Sequence, residues 1–316
     1  SLPKMGILSY LIDAVDQGYN KDMIFVPITI TYDRILEEAS YHMELKGKEK
    51  ETESTSAFVK SRKLLRRKYG KVYLSFNQPF SYREYRDSLK EGEDLADSLG
   101  HYITRRINEI VMATPFSITS AAMLQSSAHG FTREILKKRI TVLLDYCAYA
   151  GVRMSDHLAA AANYDEIINY VLESYLQDNI VAEPMAGVDK GSPEVLDGLY
   201  TLNQNERSRI NFYKNNTIHY FLPLIFISLA LLSRAENDEM EEEALAQAFN
   251  DLTDLLSLEF IYSESYLDTA ATIAKALEYL EKRGTVARAG GKIRVQPDRR
   301  DEPVLFAKAV QDFLES

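Results

Sequence analysis

Beyond about residue 90 the sequence carries little but helical periodicity. Apolar residues recur at three- and four-residue spacing through Leu95 to Ala128, Thr132 to Tyr149, Tyr164 to Asp178, Glu206 to Arg234, Glu239 to Tyr262 and Ser265 to Arg283. Pro115, Gly151, Pro184 and Pro193 punctuate these runs. The stretch GTVARAGGKIRVQP, residues 284–297, breaks the pattern and predicts a β-hairpin turning at Gly290-Gly291, with a last helix from Pro303. Such a chain cannot close as a sandwich or a barrel. Its larger part has to bury helix against helix.

The first ninety residues differ. Pro3 to Gly18 is amphipathic, with Ile7, Leu8, Leu11, Ile12 and Val15 on one helical face. MIFVPITIT, residues 23–31, reads as a strand, and KVYLSF, residues 71–76, as another ended by Asn77-Gln78-Pro79. Between them lie an exposed loop ending in KGKEKETE and a helix from Ser54 to Tyr69. Helix, strand, helix, strand is the order of a βαβ-type α/β domain. The expected architecture is therefore α/β over residues 1–90, followed by a mainly α-helical domain over 91–316 with a small β-hairpin near the C-terminus. Pro27 stands out within its strand, because it offers no N–H to a ladder and marks an edge, a bulge or a site.

Composition removes several classes of function. The net charge of −10 argues against a dedicated nucleic-acid binder. Cys147 is the single cysteine, so no internal disulfide can form, and no Cys/His cluster has zinc spacing. This usage fits a reducing cytosolic compartment and predicts neither a metal nor a cofactor. The uncharged run from Tyr220 to Leu232 falls short of the ~20 residues that cross a bilayer. A buried core helix is the favoured reading, with contact to a membrane surface or acyl chain as the other. The chain opens SLPKMGILSY, with no initiator Met and no signal segment, which is expected of a processed protein or a part of a longer one.

One cationic stretch stands against the acidic background. SAFVKSRKLLRRKYGK holds Lys60, Arg62, Lys63, Arg66, Arg67, Lys68 and Lys71. It is either a solvated helix face or a surface that attracts phosphate, whether on lipid or on a substrate. His219 follows Asn215 and Asn216 just ahead of the long apolar run, which suggests a buried hydrogen-bond cluster more than a catalytic site. The sequence contains no GxGxxG, GxxxxGK[ST], HExxH or GxSxG. A helix-plus-hairpin winged module would bind nucleic acid only with a basic recognition helix, and the preceding helix balances its charges.

Three segments, taken in order, resemble the glycerol-3-phosphate 1-O-acyltransferase family: VPITITYDRILEEASYHMELKGKEKETES, then LRRKYGKVYLSFNQPFSYREY, then FYKNNTIHYFLP. The resemblance implies transfer of a fatty acyl group from acyl-CoA or acyl carrier protein to the sn-1 hydroxyl of glycerol 3-phosphate, on the cytoplasmic side of a membrane with peripheral contact to its anionic surface. It implies that Pro27 belongs to the family's fourth motif and walls the acyl or acceptor pocket. Tyr32, Asp33 and Arg34 continue that motif, either bracing the pocket or forming a strand-to-helix corner with Asp33 as an N-cap. Lys4 matches a Pro-Lys position near the acceptor's phosphate, and Lys63, Arg66, Arg67 and Lys68 are candidate phosphate or membrane contacts.

The family activates its hydroxyl nucleophile with a histidine followed five residues later by an aspartate. Here those fifth residues are Gly47, Arg106, Glu134, Ala162 and Leu224. An FPEG-like arginine motif is missing as well. The expectation is a C-terminal portion that starts just after the third motif, carries no catalytic residue of its own and does not turn over alone. The rival is a non-catalytic helical module that docks on a membrane or a partner.

Overall fold

The computed structural model describes residues 3–19, 21–35, 70–90, 92–124, 130–161, 163–183, 198–235, 238–263, 266 and 268–310. The described chain is mainly helical, with short strands and a hairpin near its C-terminus. Its contacts gather into two units of non-contiguous segments. Ser1–Ile30, Leu74–Val111 and Ile218–Ser316 form the first, and Thr31–Tyr73 with Met112–Thr217 the second.

In the first unit, helix α1 (Gly6–Asp16) buries Ile12 and Val15 against Tyr82 and Leu99, with Leu8 packed beside them. The rest of its expected apolar face stays in solvent: Ile7 and Leu11 are exposed, and so is Tyr10. Strand β1 (Ile24–Phe25) pairs antiparallel with the short β4 (Phe80–Ser81), setting Phe25 opposite Phe80. Those rings stack at 5.4 Å, and Tyr102 meets Phe80 edge-on at 4.9 Å. Helix α2 (Tyr82–Ser88) starts from the Ser81 side chain, and α3 (Leu95–Asn108) from that of Asp94.

The strand expected over residues 23–31 is cut at Pro27, and its second half, β2 (Ile28–Tyr32), takes a different partner, β3 (Val72–Phe76). The missing N–H explains the cut, since Pro27 can only accept, and its carbonyl takes a bond from the Asn77 N–H at 2.9 Å. At the other end the Asp33 N–H donates to the Lys71 carbonyl at 3.0 Å. These two bonds set an antiparallel register that places Ile28 opposite Phe76 and Ile30 opposite Leu74. In this region the described strands pair in twos, without the parallel pairing of a βαβ unit.

The second unit is built round a helix buried at every position, α4 (Pro115–Leu124). The periodic run expected from Leu95 to Ala128 breaks because Pro115 begins this new helix, where a missing N–H costs nothing. Helix α5 (Arg133–Ala150) has its N-cap at Thr132 and ends on Gly151 in the left-handed conformation. A one-turn α6 (Asp156–Ala159) precedes α7 (Tyr164–Gln177), and strands β5 (Val181–Ala182) and β6 (Thr201–Leu202) pair antiparallel. Phe116 of α4 lies 5.4 Å from Tyr175 and 5.3 Å from Tyr213, and the Tyr175 hydroxyl bonds Ser120 at 2.8 Å.

Helix α8 (Arg207–Leu232) contributes its C-terminal half to the first unit. The apolar run is core: Leu224, Ile225 and Ile227 are fully buried. Next come β7 (Met240–Glu241), α9 (Glu242–Leu255) and α10 (Thr269–Lys282). The hairpin is present as β8 (Val286–Ala289) and β9 (Lys292–Val295), with β7 added to give the order β7-β9-β8. Gly290 and Gly291 have φ of 60° and 77°, as a two-residue type I′ turn requires. Helix α11 (Asp301–Lys308) starts two residues before Pro303 and closes the described chain.

Candidate functional site

The Tyr32-Asp33-Arg34 corner, in the second unit, combines burial, charge and unsatisfied polar atoms. Tyr32 ends β2 with its side chain exposed, whereas Asp33 and Arg34 turn into the unit and are 1% and 7% exposed. Asp33 grips Lys71 twice. Its N–H donates to the Lys71 carbonyl at 3.0 Å, and its Oδ2 accepts from the Lys71 N–H at 3.1 Å. Neighbouring Gly70 has φ +75°, and a Cβ there would come within 2.5 Å of Asp33 Cβ and 2.8 Å of the Tyr170 hydroxyl. Glycine is therefore required on both counts.

The grip uses one oxygen of the carboxylate. Asp33 Oδ1 and the Tyr73 hydroxyl are both buried without a hydrogen-bond partner. Burial raises the Asp33 carboxyl above the usual aspartate range, against the Lys71 N–H bond and the charges of His157 and Lys71. Burial and the Asp33 charge push Tyr170 up to about 12, and its ring packs 4.4 Å from that of His157. This corner can hold a proton or accept one hydrogen bond.

Arg34 works as a brace. Its guanidinium donates to Ser174 and to Asp178 and lies 6.0 Å from the Phe116 ring centre. Arg209 reaches the same Asp178 carboxylate at 3.2 Å and bonds Glu206 at 3.0 Å, so two cations and two anions share the cluster. The Tyr213 hydroxyl accepts from the Ile35 N–H at 3.2 Å. Buried arginine demands such partners, but Asp178 and Arg209 lie far along the chain and no local pattern announces them.

The other expected residues are dispersed. Pro27 is buried and Lys4 exposed, both in the first unit. Lys63, Arg66, Arg67 and Lys68 lie outside the described residues, whereas Lys71 is exposed and pairs with Asp156 at 3.6 Å. His219 is buried as expected, but its partner is the Asn108 carbonyl, 3.0 Å from Nε2, and not Asn216 one turn away. The Tyr220 hydroxyl donates to Asn108 and Val111 carbonyls at 2.9 and 2.7 Å, so together they cap the end of α3. Burial lowers His219 to about 4 and keeps it neutral, with Nε2–H as the donor. The Cys147 thiol, pushed up to about 12 by burial, is unreactive. Among the described residues no three His, Cys, Asp or Glu side chains converge as a metal site.

Comparison with known proteins bears on the chain as a whole and not on this corner, which precedes the matched family region. The family described as glycerol-3-phosphate acyltransferase C-terminal region matches residues 41–316, and the chain belongs to that family. Across 99% of its length it is similar to curated relatives named glycerol-3-phosphate acyltransferase. That of Aeromonas hydrophila is 24% identical over 329 residues, and that of Shewanella loihica 23% over 336. The chain spans 38% of the length of each.

Proposed function

We propose that this chain supplies the C-terminal part of a glycerol-3-phosphate 1-O-acyltransferase, which moves a fatty acyl group from acyl-CoA or acyl carrier protein to the sn-1 hydroxyl of glycerol 3-phosphate. The observation that carries the reading is the bare face of the β2–β3 ladder. Ile30 and Leu74, opposite one another, are 54% and 55% exposed, and Ile28 and Phe76 continue the same face. Burying such a side chain is worth about 1.5–3 kcal/mol, so a face of this kind belongs in an interior. In this reading it completes the acyltransferase α/β sheet with strands from the rest of the protein.

Pro27 then walls the acyl or acceptor pocket, and Tyr32, Asp33 and Arg34 serve as its bracing residues. Lys4 and the cations at Lys63, Arg66, Arg67 and Lys68 favour the acceptor's phosphate or an anionic surface. The base that takes the hydroxyl proton lies outside this chain, and the acyl donor is a co-substrate, with no further cofactor. Residues 1–316 purified alone are expected to give no turnover with glycerol 3-phosphate and acyl-CoA, while Ile30→Asp in the full-length protein abolishes it. Robust turnover by the isolated chain would sink the reading.

Peripheral contact with the cytoplasmic side of a membrane forms part of this proposal. Ile7, Tyr10 and Leu11 of α1, with Tyr19 beyond it, present exposed apolar side chains. Co-sedimentation with anionic vesicles tests the contact. Charge reversal at Arg66, Arg67 and Lys68 is expected to lower the bound fraction, and no anionic preference at all would refute it.

A further inference from the structure

Pro223 interrupts α8 where the helix is most deeply buried. Without an N–H it cannot donate to the His219 carbonyl one turn back. The Tyr266 hydroxyl takes that place, donating to the His219 carbonyl at 2.9 Å and reaching the Tyr220 carbonyl at 3.4 Å. Beside this repair is a cavity of ≈ 220 Å³ whose walls include Pro223, Phe226, Phe249, Tyr262 and Tyr266, with Asp254 at its rim. Drug-sized sites run to about 300–1,000 Å³, so only a small group fits.

The lining decides which group. Phe226 meets Phe249 at 5.5 Å and 73° and Tyr262 at 6.2 Å and 72°, and Tyr262 meets Tyr266 at 6.4 Å and 73°. The four rings thus form one edge-to-face chain along the lining. The Tyr262 hydroxyl is spent on the Thr253 carbonyl at 2.9 Å. Among the described residues lining the cavity, Asp254 is the one carboxylate, and the lining holds no lysine, arginine or histidine. Asn250, Thr253 and Thr269 complete the polar lining, so a phosphate or carboxylate would find neutral donors but no cation, and would face the Asp254 carboxylate. A cation with apolar substituents would meet aromatic rings and a carboxylate together.

We propose that this cavity binds a small alkylated ammonium group of the trimethylammonium type. The site is independent of the acyltransferase reading and adds a second ligand class to the chain.

The test is calorimetric titration of residues 1–316 with choline and with its uncharged isostere, 3,3-dimethylbutan-1-ol. Choline is expected to bind about tenfold more tightly, as cation–π attraction in a partly desolvated site allows. Asp254 is exposed, so Asp254→Asn is expected to keep the thermal midpoint, to weaken choline up to about fivefold and to leave the alcohol unmoved. Phe226→Leu, a change of shape in the core, weakens choline more than the alcohol. Equal affinity for the two probes, or choline binding unchanged in both variants, overturns the proposal. Free choline reads a soluble amine. Monomeric short-chain phosphatidylcholine bound more tightly than short-chain phosphatidylglycerol, a difference lost in Asp254→Asn, assigns the same chemistry to a lipid headgroup.

Discussion

Two antiparallel ladders in this chain alternate in the same way and bury opposite faces. In β8–β9 the apolar residues turn inward: Ile293 is fully buried, Val286 and Val295 nearly so, and Ala287, Lys292 and Arg294 face solvent. In β2–β3 the apolar residues Ile28, Ile30, Leu74 and Phe76 face solvent, while the small polar side chains of Thr31 and Ser75 are buried. One face of an antiparallel ladder is ordinarily wet and polar. The inverted ladder therefore shows which of the two was shaped for an interior larger than the described residues provide. Among the described residues the closed ladder is finished and the open one is not.

The sharpest test of that difference is one deletion made in each ladder. Ile293→Ala opens a cavity at a buried site and is expected to cost about 2–5 kcal/mol. Ile30→Ala removes a side chain already half in water and is expected to cost under about 1 kcal/mol. Urea denaturation of the two variants measures both. Equal losses would erase the contrast.

A smaller effect comes from the carboxylates that anchor each ladder. Glu302 of α11 accepts from the Arg283 guanidinium at 3.0 Å through both oxygens and from the Thr285 hydroxyl at 2.7 Å, beside the start of β8. Burial raises its pKa, but the bonds from Arg283 and Thr285 outweigh burial and hold it below the usual glutamate value. Its contribution is present above the unfolded value near 4.5 and fades as pH falls through the lower folded value. Asp33, at the end of the open ladder, has the opposite sign. Its raised pKa means that its ionised form weakens the fold, a weakness relieved as pH drops through the raised value. Glu302→Gln is expected to cost about 1.5–3 kcal/mol at pH 7 and to flatten the acid limb of a stability–pH curve. Asp33→Asn is expected to shift that curve the other way, and a shared direction would contradict the assignment.

Local signals made part of this architecture legible. The Gly290-Gly291 hairpin, the stop at Asn77-Gln78-Pro79 and the helices after residue 130 rest on backbone preferences that a short window contains. The single cut at residue 90 follows chain order, whereas the compact units collect segments by contacts that no window contains. Pro27 is legible as a special position, but the sequence does not tell that β1 and β2 take different partners across it. For the Tyr32-Asp33-Arg34 corner, motif likeness points to the residues and says nothing of what holds them. Arg34 depends on Asp178, 144 residues away, and Asp33 on a glycine whose importance lies in the side chain it avoids. His219 shows the same limit: burial was readable from its apolar neighbours, but the Asn108 carbonyl it caps was not.

The smallest effect on stability carries the most information about the open ladder. Replacing Ile30 and Leu74 together with Thr keeps β-propensity and removes the apolar face. In the isolated chain this change is expected to alter unfolding free energy by less than about 0.5 kcal/mol, as exposed substitutions do. Its effect should appear in association: a bare apolar face promotes self-contact, so sedimentation velocity at rising concentration should show less oligomer for the double variant. In the full-length protein the same pair would sit inside the proposed sheet, and the substitution should lower both the thermal midpoint and acyl transfer. Neutral in the part and damaging in the whole is the pattern expected of a face awaiting its cover. If the double variant destabilised the isolated chain by several kcal/mol, the face would already be buried within it, and the contrast between the ladders would fall.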